Sequence, residues 1–182
     1  MQIYQPLEPD DFLLIERMPL KPSTTTVRQF CSMFERDEYE GACLRESWPF
    51  SREAIMSGSG VERFCSGHPN DSEETACYET AFSILGRQSL GNPDKAARAC
   101  AAVPESRRDM CFSRVALAIV EEDKSAGERA VSFCAAAGPS EDSCLGFLAQ
   151  TAGHNFGSNI AGRRAFCNAF EASWRERCLG SP

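Results

Sequence analysis

At 182 residues and a net charge of −7, the chain is long enough for one domain or one short repeat array, and it lacks the basic balance that a general nucleic-acid binder needs. Leu, Ile, Val and Phe supply only 35 residues, about 19%, near the level at which a packed core fails without small residues or cross-links to help it. No apolar run approaches the ~20 residues of a membrane-spanning helix.

Residues 1–25 carry Pro6, Pro9, Pro19, Pro22 and a Ser-Thr run, and read as an extended arm or linker. With Glu8, Asp10, Asp11 and Glu16 and no basic start, the first twenty residues do not form a signal peptide. From residue 26 to 182 the chain is organised by cysteines, at 31, 43, 65, 77, 100, 111, 134, 144, 167 and 178. The first members of successive pairs stand 34, 35, 34 and 33 residues apart, and the steps within pairs are 12, 12, 11, 10 and 11. That is an internal repeat of ~34 residues with one cysteine pair per unit.

Aligned on the first cysteine, the units begin VRQFC (27–31), VERFC (61–65), AARAC (96–100), AVSFC (130–134) and RRAFC (163–167). Apolar residues four before, one before and at the cysteine have helical spacing, which predicts a short amphipathic helix ending there. Breakers follow it: Gly67 and Pro69, then Pro104, then Gly138 and Pro139. A second helix then carries the second cysteine, with an apolar stripe clearest in MCFSRVALAIV (110–120). Asp71 with Glu three residues later, and the acids after Ser140, mark second-helix starts; Asn92-Pro93 marks a first-helix start. In the first unit Pro49 interrupts the second helix and Ser57–Gly60 makes a loose join. The fifth unit stops one turn past Cys178 and reads as a truncated terminal unit.

The expected fold is all-α: an α/α-hairpin repeat solenoid of about five ~34-residue units. Ten cysteines permit many pairings. Register selects the local one, because two antiparallel helices joined by a tight turn bring their Cα atoms to the ~5.5 Å that a disulfide needs. The expected bridges are Cys31–Cys43, Cys65–Cys77, Cys100–Cys111, Cys134–Cys144 and Cys167–Cys178. Ten paired cysteines belong to an oxidising compartment, so the expected location is periplasmic or extracellular. Export then requires either a signal that this chain does not include or a longer exported protein of which it is a segment.

The unit length and helix–turn–helix pattern over residues 26–182 resemble tetratricopeptide and Sel1-like solenoids, and the bridge in each unit resembles the cysteine-rich Sel1-like proteins of bacteria. The Trp, Gly and Tyr positions of a tetratricopeptide unit and the paired glycines of a Sel1 unit are missing, so the likeness is one of architecture. It implies a curved helical array with a binding or scaffolding role. Twin-CX9C proteins also space cysteines about ten apart, but on one continuous helix, which the Pro and Gly breakers forbid here.

Candidate chemistry is sparse. Without a C-x2-C pair there is no expected zinc site, thioredoxin-like centre or c-type haem, and no cofactor is expected. Cys65-Ser66-Gly67-His68 is a lone C-x2-H, read as a polar His in a turn; His154 lies late in a second helix. Ser57-Gly58-Ser59-Gly60 is not a nucleophile elbow, and the acid pairs Glu73-Glu74 and Glu121-Glu122 read as solvated helix ends. Asn70-Asp71-Ser72 matches a glycosylation sequon. The remaining candidate is a strip of first-helix cations, Arg28, Arg63, Lys95, Arg98, Arg129, Arg163 and Arg164, suited to a carboxylate-bearing peptide, an anionic glycan or lipid head groups at a membrane periphery. The expected function is a non-catalytic interaction or scaffold module with a protein partner in a larger assembly. The alternatives are an enzyme or binder acting on cell-wall or glycan material and a structural subunit packing laterally through the 1–25 arm.

Overall fold

The computed structural model describes residues 23–181, which form helices joined by short turns, with no strand among them. Ser23 opens the first helix, α1 (Thr24–Cys31): its hydroxyl accepts the Thr26 N–H, and the Thr26 hydroxyl accepts the Ser23 N–H in return. The Ser-Thr run is therefore a helix cap, and the helix takes in residues 24 and 25, which the sequence assigned to the arm. The rest of that expected arm lies outside the described residues. The helices α2 (Asp37–Glu46), α3 (Arg52–Ser57), α4 (Val61–Cys65) and α5 (Asp71–Gln88) follow, then α6 (Pro93–Ala102), α7 (Glu105–Glu122), α8 (Gly127–Ala135), α9 (Glu141–Phe156), α10 (Ile160–Cys167) and α11 (Ala172–Gly180). Pro49 does break the second helix of the first unit. It sits in a 3-10 turn, Trp48–Ser51, between α2 and α3.

All five expected bridges form, with Cα–Cα distances of 5.4–5.6 Å and no free cysteine left. Each joins two neighbouring helices: α1 to α2, α4 to α5, α6 to α7, α8 to α9 and α10 to α11. Five disulfides point to an oxidising, extracellular-type environment. No described helix is long and apolar enough to cross a membrane.

The helices carrying the second cysteines pack on one another in order: α2 on α5, α5 on α7, α7 on α9 and α9 on α11. Their junctions are bridged by polar bonds between residues 28–35 apart in the chain. Asn70 donates to Asp37 at 3.0 Å, Arg45 pairs with Glu73, Arg107 with Glu74 at 3.3 Å and Arg114 with Glu79. Arg87 reaches Glu121 at 3.5 Å and Glu122 at 3.4 Å, and Ser143 donates to Asp109 at 2.8 Å. The adjacent acids read from sequence as solvated helix ends are thus cross-junction partners. The reason is geometric: helices packed side by side present a glutamate to an arginine on the neighbouring helix.

Two further local readings change. The second-unit cap is Asn70, not Asp71; the Asn70 side chain accepts the Glu73 N–H at 3.0 Å, leaving Asp71 in the first turn. Asn92 caps α6 as expected, with Pro93 at its first position. The Ser57–Gly60 join is not loose. Gly58 and Gly60 are buried, and Gly58 adopts φ 76°, where a Cβ would run into the Ala99 carbonyl of α6.

The core forms one continuous cluster from Ile55 to Cys178, filled by phenylalanines, alanines and bridge sulfurs, with Phe82, Leu85 and Leu148 fully buried. Val27, Phe30, Cys31 and Leu44 make a separate small cluster in the first helix pair.

Candidate functional site

The seven candidate cations do not behave alike. Arg28 reaches across to the end of α4, where its guanidinium donates to the Ser66 carbonyl at 2.7 Å and to those of Arg63 and Phe64 at 3.4 Å. Arg163 likewise donates to the carbonyls of Cys178, Leu179 and Ser181, closing the end of α11. Both donate to carbonyls at or just past helix C-terminal ends. Arg129 pairs with Asp123 at 3.5 Å across an exposed turn. Arg63, Lys95, Arg98 and Arg164 are exposed. The structure brings Arg28 and Arg63 together, with Arg52, at a cleft of about 830 Å³ beside the first helix pair, lined also by Phe50, Phe64 and Glu53. Arg52 is tied to Gln88 at 2.7 Å.

A second groove, of about 530 Å³, crosses the helices that carry the second cysteines. It takes Glu79 from α5, Asp109, Met110 and Arg114 from α7, Asp142, Phe147 and Gln150 from α9, and Trp174 and Arg177 from α11. Most of these stand at equivalent steps from their own cysteine. Asp109 and Asp142 precede it by two, and Arg114 and Phe147 follow it by three. Because α5, α7, α9 and α11 pack on one another in order, these positions share one surface. Gly146 lies under the Trp174 ring, at a distance where a Cβ would make an ordinary van der Waals contact of 3.4 Å. Arg114 lies over Phe147 at 5.3 Å and Arg177 over Trp174 at 4.7 Å, so the aromatic faces are held by cations from neighbouring positions. The hydroxyls of Ser140 and Ser143 hold the Asp109 carboxyl below the usual carboxylate range, keeping it ionised.

Sequence reasoning missed this groove because it followed basic residues on first helices. The recurrent acid two before the second cysteine, in Asp109 and Asp142, was the available signal.

His68 does sit in a turn, between α4 and α5. Its ring is half-buried, with Nδ1 2.7 Å from the Cys65 carbonyl oxygen and Nε2 buried without a hydrogen-bond partner. Burial pushes its pKa down, opposed by the Cys65 carbonyl and aided by the charges of Arg28 and Arg45. A histidine depressed in the fold contributes no penalty above its unfolded pKa of about 6.5, and costs stability as pH falls through that value toward the folded one. The melting temperature is therefore expected to drop between pH 7 and pH 5, and His68→Gln to flatten that slope. An unchanged slope in thermal melts of the variant would show that other groups carry it. His154 is exposed near the end of α9. Among the described residues no group of three or more His, Cys, Asp or Glu side chains is arranged to hold a metal.

No family model, curated protein or solved structure matches the chain.

Proposed function

We propose that this chain is an exported, non-catalytic interaction module: an α/α-hairpin solenoid, similar in build to the cysteine-rich Sel1-like arrays, that holds a protein partner in the groove across its second helices. The groove carries this reading, since four successive second-cysteine helices contribute to it, α7 and α9 with Asp109/Asp142 and Arg114/Phe147 at equivalent positions, as expected of a recognition surface in a repeat array. Consecutive packing of α2, α5, α7, α9 and α11 and the cross-junction bonds support the array. The bridges support export to a periplasm or extracellular space. A non-catalytic role agrees with the two histidines, one with its ring lodged against a carbonyl and the other exposed at a helix end.

Gln150 is exposed in the groove, so Gln150→Trp fills it at little cost to folding. With the full chain immobilised and an extract of its native source passed over it, a partner retained in fixed ratio by the wild type is expected to be lost by the variant at unchanged melting temperature. Equal retention by both proteins would remove the groove from the function.

A further inference from the structure

The two helices of each pair differ in charge. The helices carrying the second cysteines (α2, α5, α7, α9 and α11) hold fifteen Asp and Glu residues against seven Arg and no Lys. Those carrying the first (α1, α4, α6, α8 and α10) hold three acids against seven Arg and Lys. An excess of eight negative charges on one set thus stands beside an excess of four positive charges on the other.

All seven second-helix arginines are engaged within the molecule and keep their charge, so the excess of eight negative charges already counts them. Arg45, Arg87, Arg107 and Arg114 pair with glutamates across the junctions. Arg108 donates to the Val103 carbonyl at 3.3 Å, Arg175 donates to the Phe170 carbonyl at 3.0 Å, and Arg177 lies on Trp174. Five glutamates answer those pairs and Glu38 answers Arg36. The other nine acids of these helices have no ion-pair partner among the described residues. Two of the nine, Asp109 and Asp142, line the groove beside the half-buried Met110, Phe147 and Trp174; its other charged residues are Glu79, paired with Arg114, and Arg177 on Trp174, so three acids face two cations there and the groove is net negative by one charge.

We propose that the occupant of the groove is an extended, cationic segment of another protein, its Lys or Arg side chains set on Asp109 and Asp142 and its apolar side chains on Phe147 and Trp174. The inference rests on the groove reading above and adds the chemistry of the partner. An acidic field over an apolar floor attracts a basic peptide and repels anionic lipid and nucleic acid, and it does so over about a Debye length, ~10 Å at 0.1 M salt. The apolar floor gives such a peptide something to bury that a diffuse charge patch does not.

The test uses the full oxidised chain and three fluorescent decapeptides, alternating Lys-Leu, Glu-Leu and Ser-Leu, read by anisotropy at 50 mM and 300 mM salt. The Lys-Leu peptide is expected to bind about tenfold or more tighter than the Glu-Leu peptide at 50 mM, with the preference shrinking at 300 mM. The double variant Asp109→Asn/Asp142→Asn is expected to lose most of that preference, and Gln150→Trp to block the site. Equal or reversed preference that Gln150→Trp still blocks overturns the cationic partner while leaving the groove reading intact. Lys-Leu binding unaffected by all three substitutions overturns both, placing the contact elsewhere on the acidic helices. Failure of every peptide to bind also overturns the proposal.

Discussion

Full reduction of the five disulfides is expected to unfold the chain at 25 °C. Each bridge closes a loop of 10–12 residues. By loop-closure entropy such a bridge contributes about 2–3 kcal/mol. The five together are comparable to the whole net stability of a typical domain, about 5–15 kcal/mol. The apolar core does not replace them. Seventeen of the 35 buried residues in its main cluster are alanine or bridge cysteines, so nearly half of it is small side chains and the bridges themselves. Loss should also be ordered. Cys43 is half-buried and sits on the small separate cluster, whereas both partners of every other bridge are fully buried. Under limiting reductant, alkylation and mass spectrometry are expected to find Cys31 and Cys43 labelled first. Circular dichroism at full reduction should then show the helical signal collapse; a signal that survives would mean that packing, not cross-linking, holds the pairs.

The second large effect lies at Gly86, where α5 meets α7 in the broadest helix contact among the described residues. A Cβ at Gly86 would stand 2.7 Å from the Ala118 Cβ and 3.2 Å from the Val115 Cα, and neither atom can swing aside. In an open helix, replacing Gly by Ala stabilises by about 1 kcal/mol. Here the sign is expected to reverse. Gly86→Ala should destabilise, and Gly86→Val should cost about 2–4 kcal/mol, lowering the melting temperature by roughly 5–15 °C. Gly91, with nothing within 4 Å of its would-be Cβ, supplies the control, and Gly91→Ala should stay within about 0.5 kcal/mol. Equal melts for the Gly86 and Gly91 variants would mean that α5 and α7 sit farther apart than described. Gly41 differs from both, because the nearest atoms to its Cβ would all belong to the Glu73 side chain, which can move at the expense of its pair with Arg45.

The helix pairs were legible because two independent signals agreed. Cysteine spacing gave the register, and the Pro and Gly between the cysteines ruled out one continuous helix. The Asn92 cap and the Pro49 break were legible for the same local reason, since each acts within its own turn. Features that depend on a neighbour one unit away were not legible. Nothing near Arg28 in the chain reveals that its guanidinium finishes α4, and nothing near Glu74 reveals Arg107. Gly58 looked like slack in the chain, yet Ala99, 41 residues later, leaves room for no side chain there. The groove belongs to the same class. Phe147 and Trp174 are unremarkable in their own helices, and become a floor only when α9 and α11 lie side by side.

The pairing of every cysteine with the next one along the chain has a consequence for biosynthesis. A polypeptide that crosses into an oxidising space N-terminus first presents Cys31 and Cys43, then Cys65 and Cys77, each couple arriving together and only 10–12 residues apart. Order of arrival and correct connectivity coincide, so oxidation during emergence yields the native links without later reshuffling. For such a chain a catalyst of disulfide formation is expected to suffice, and refolding of the reduced protein in an oxidising buffer is expected to reach the native links as fast without a disulfide isomerase as with one.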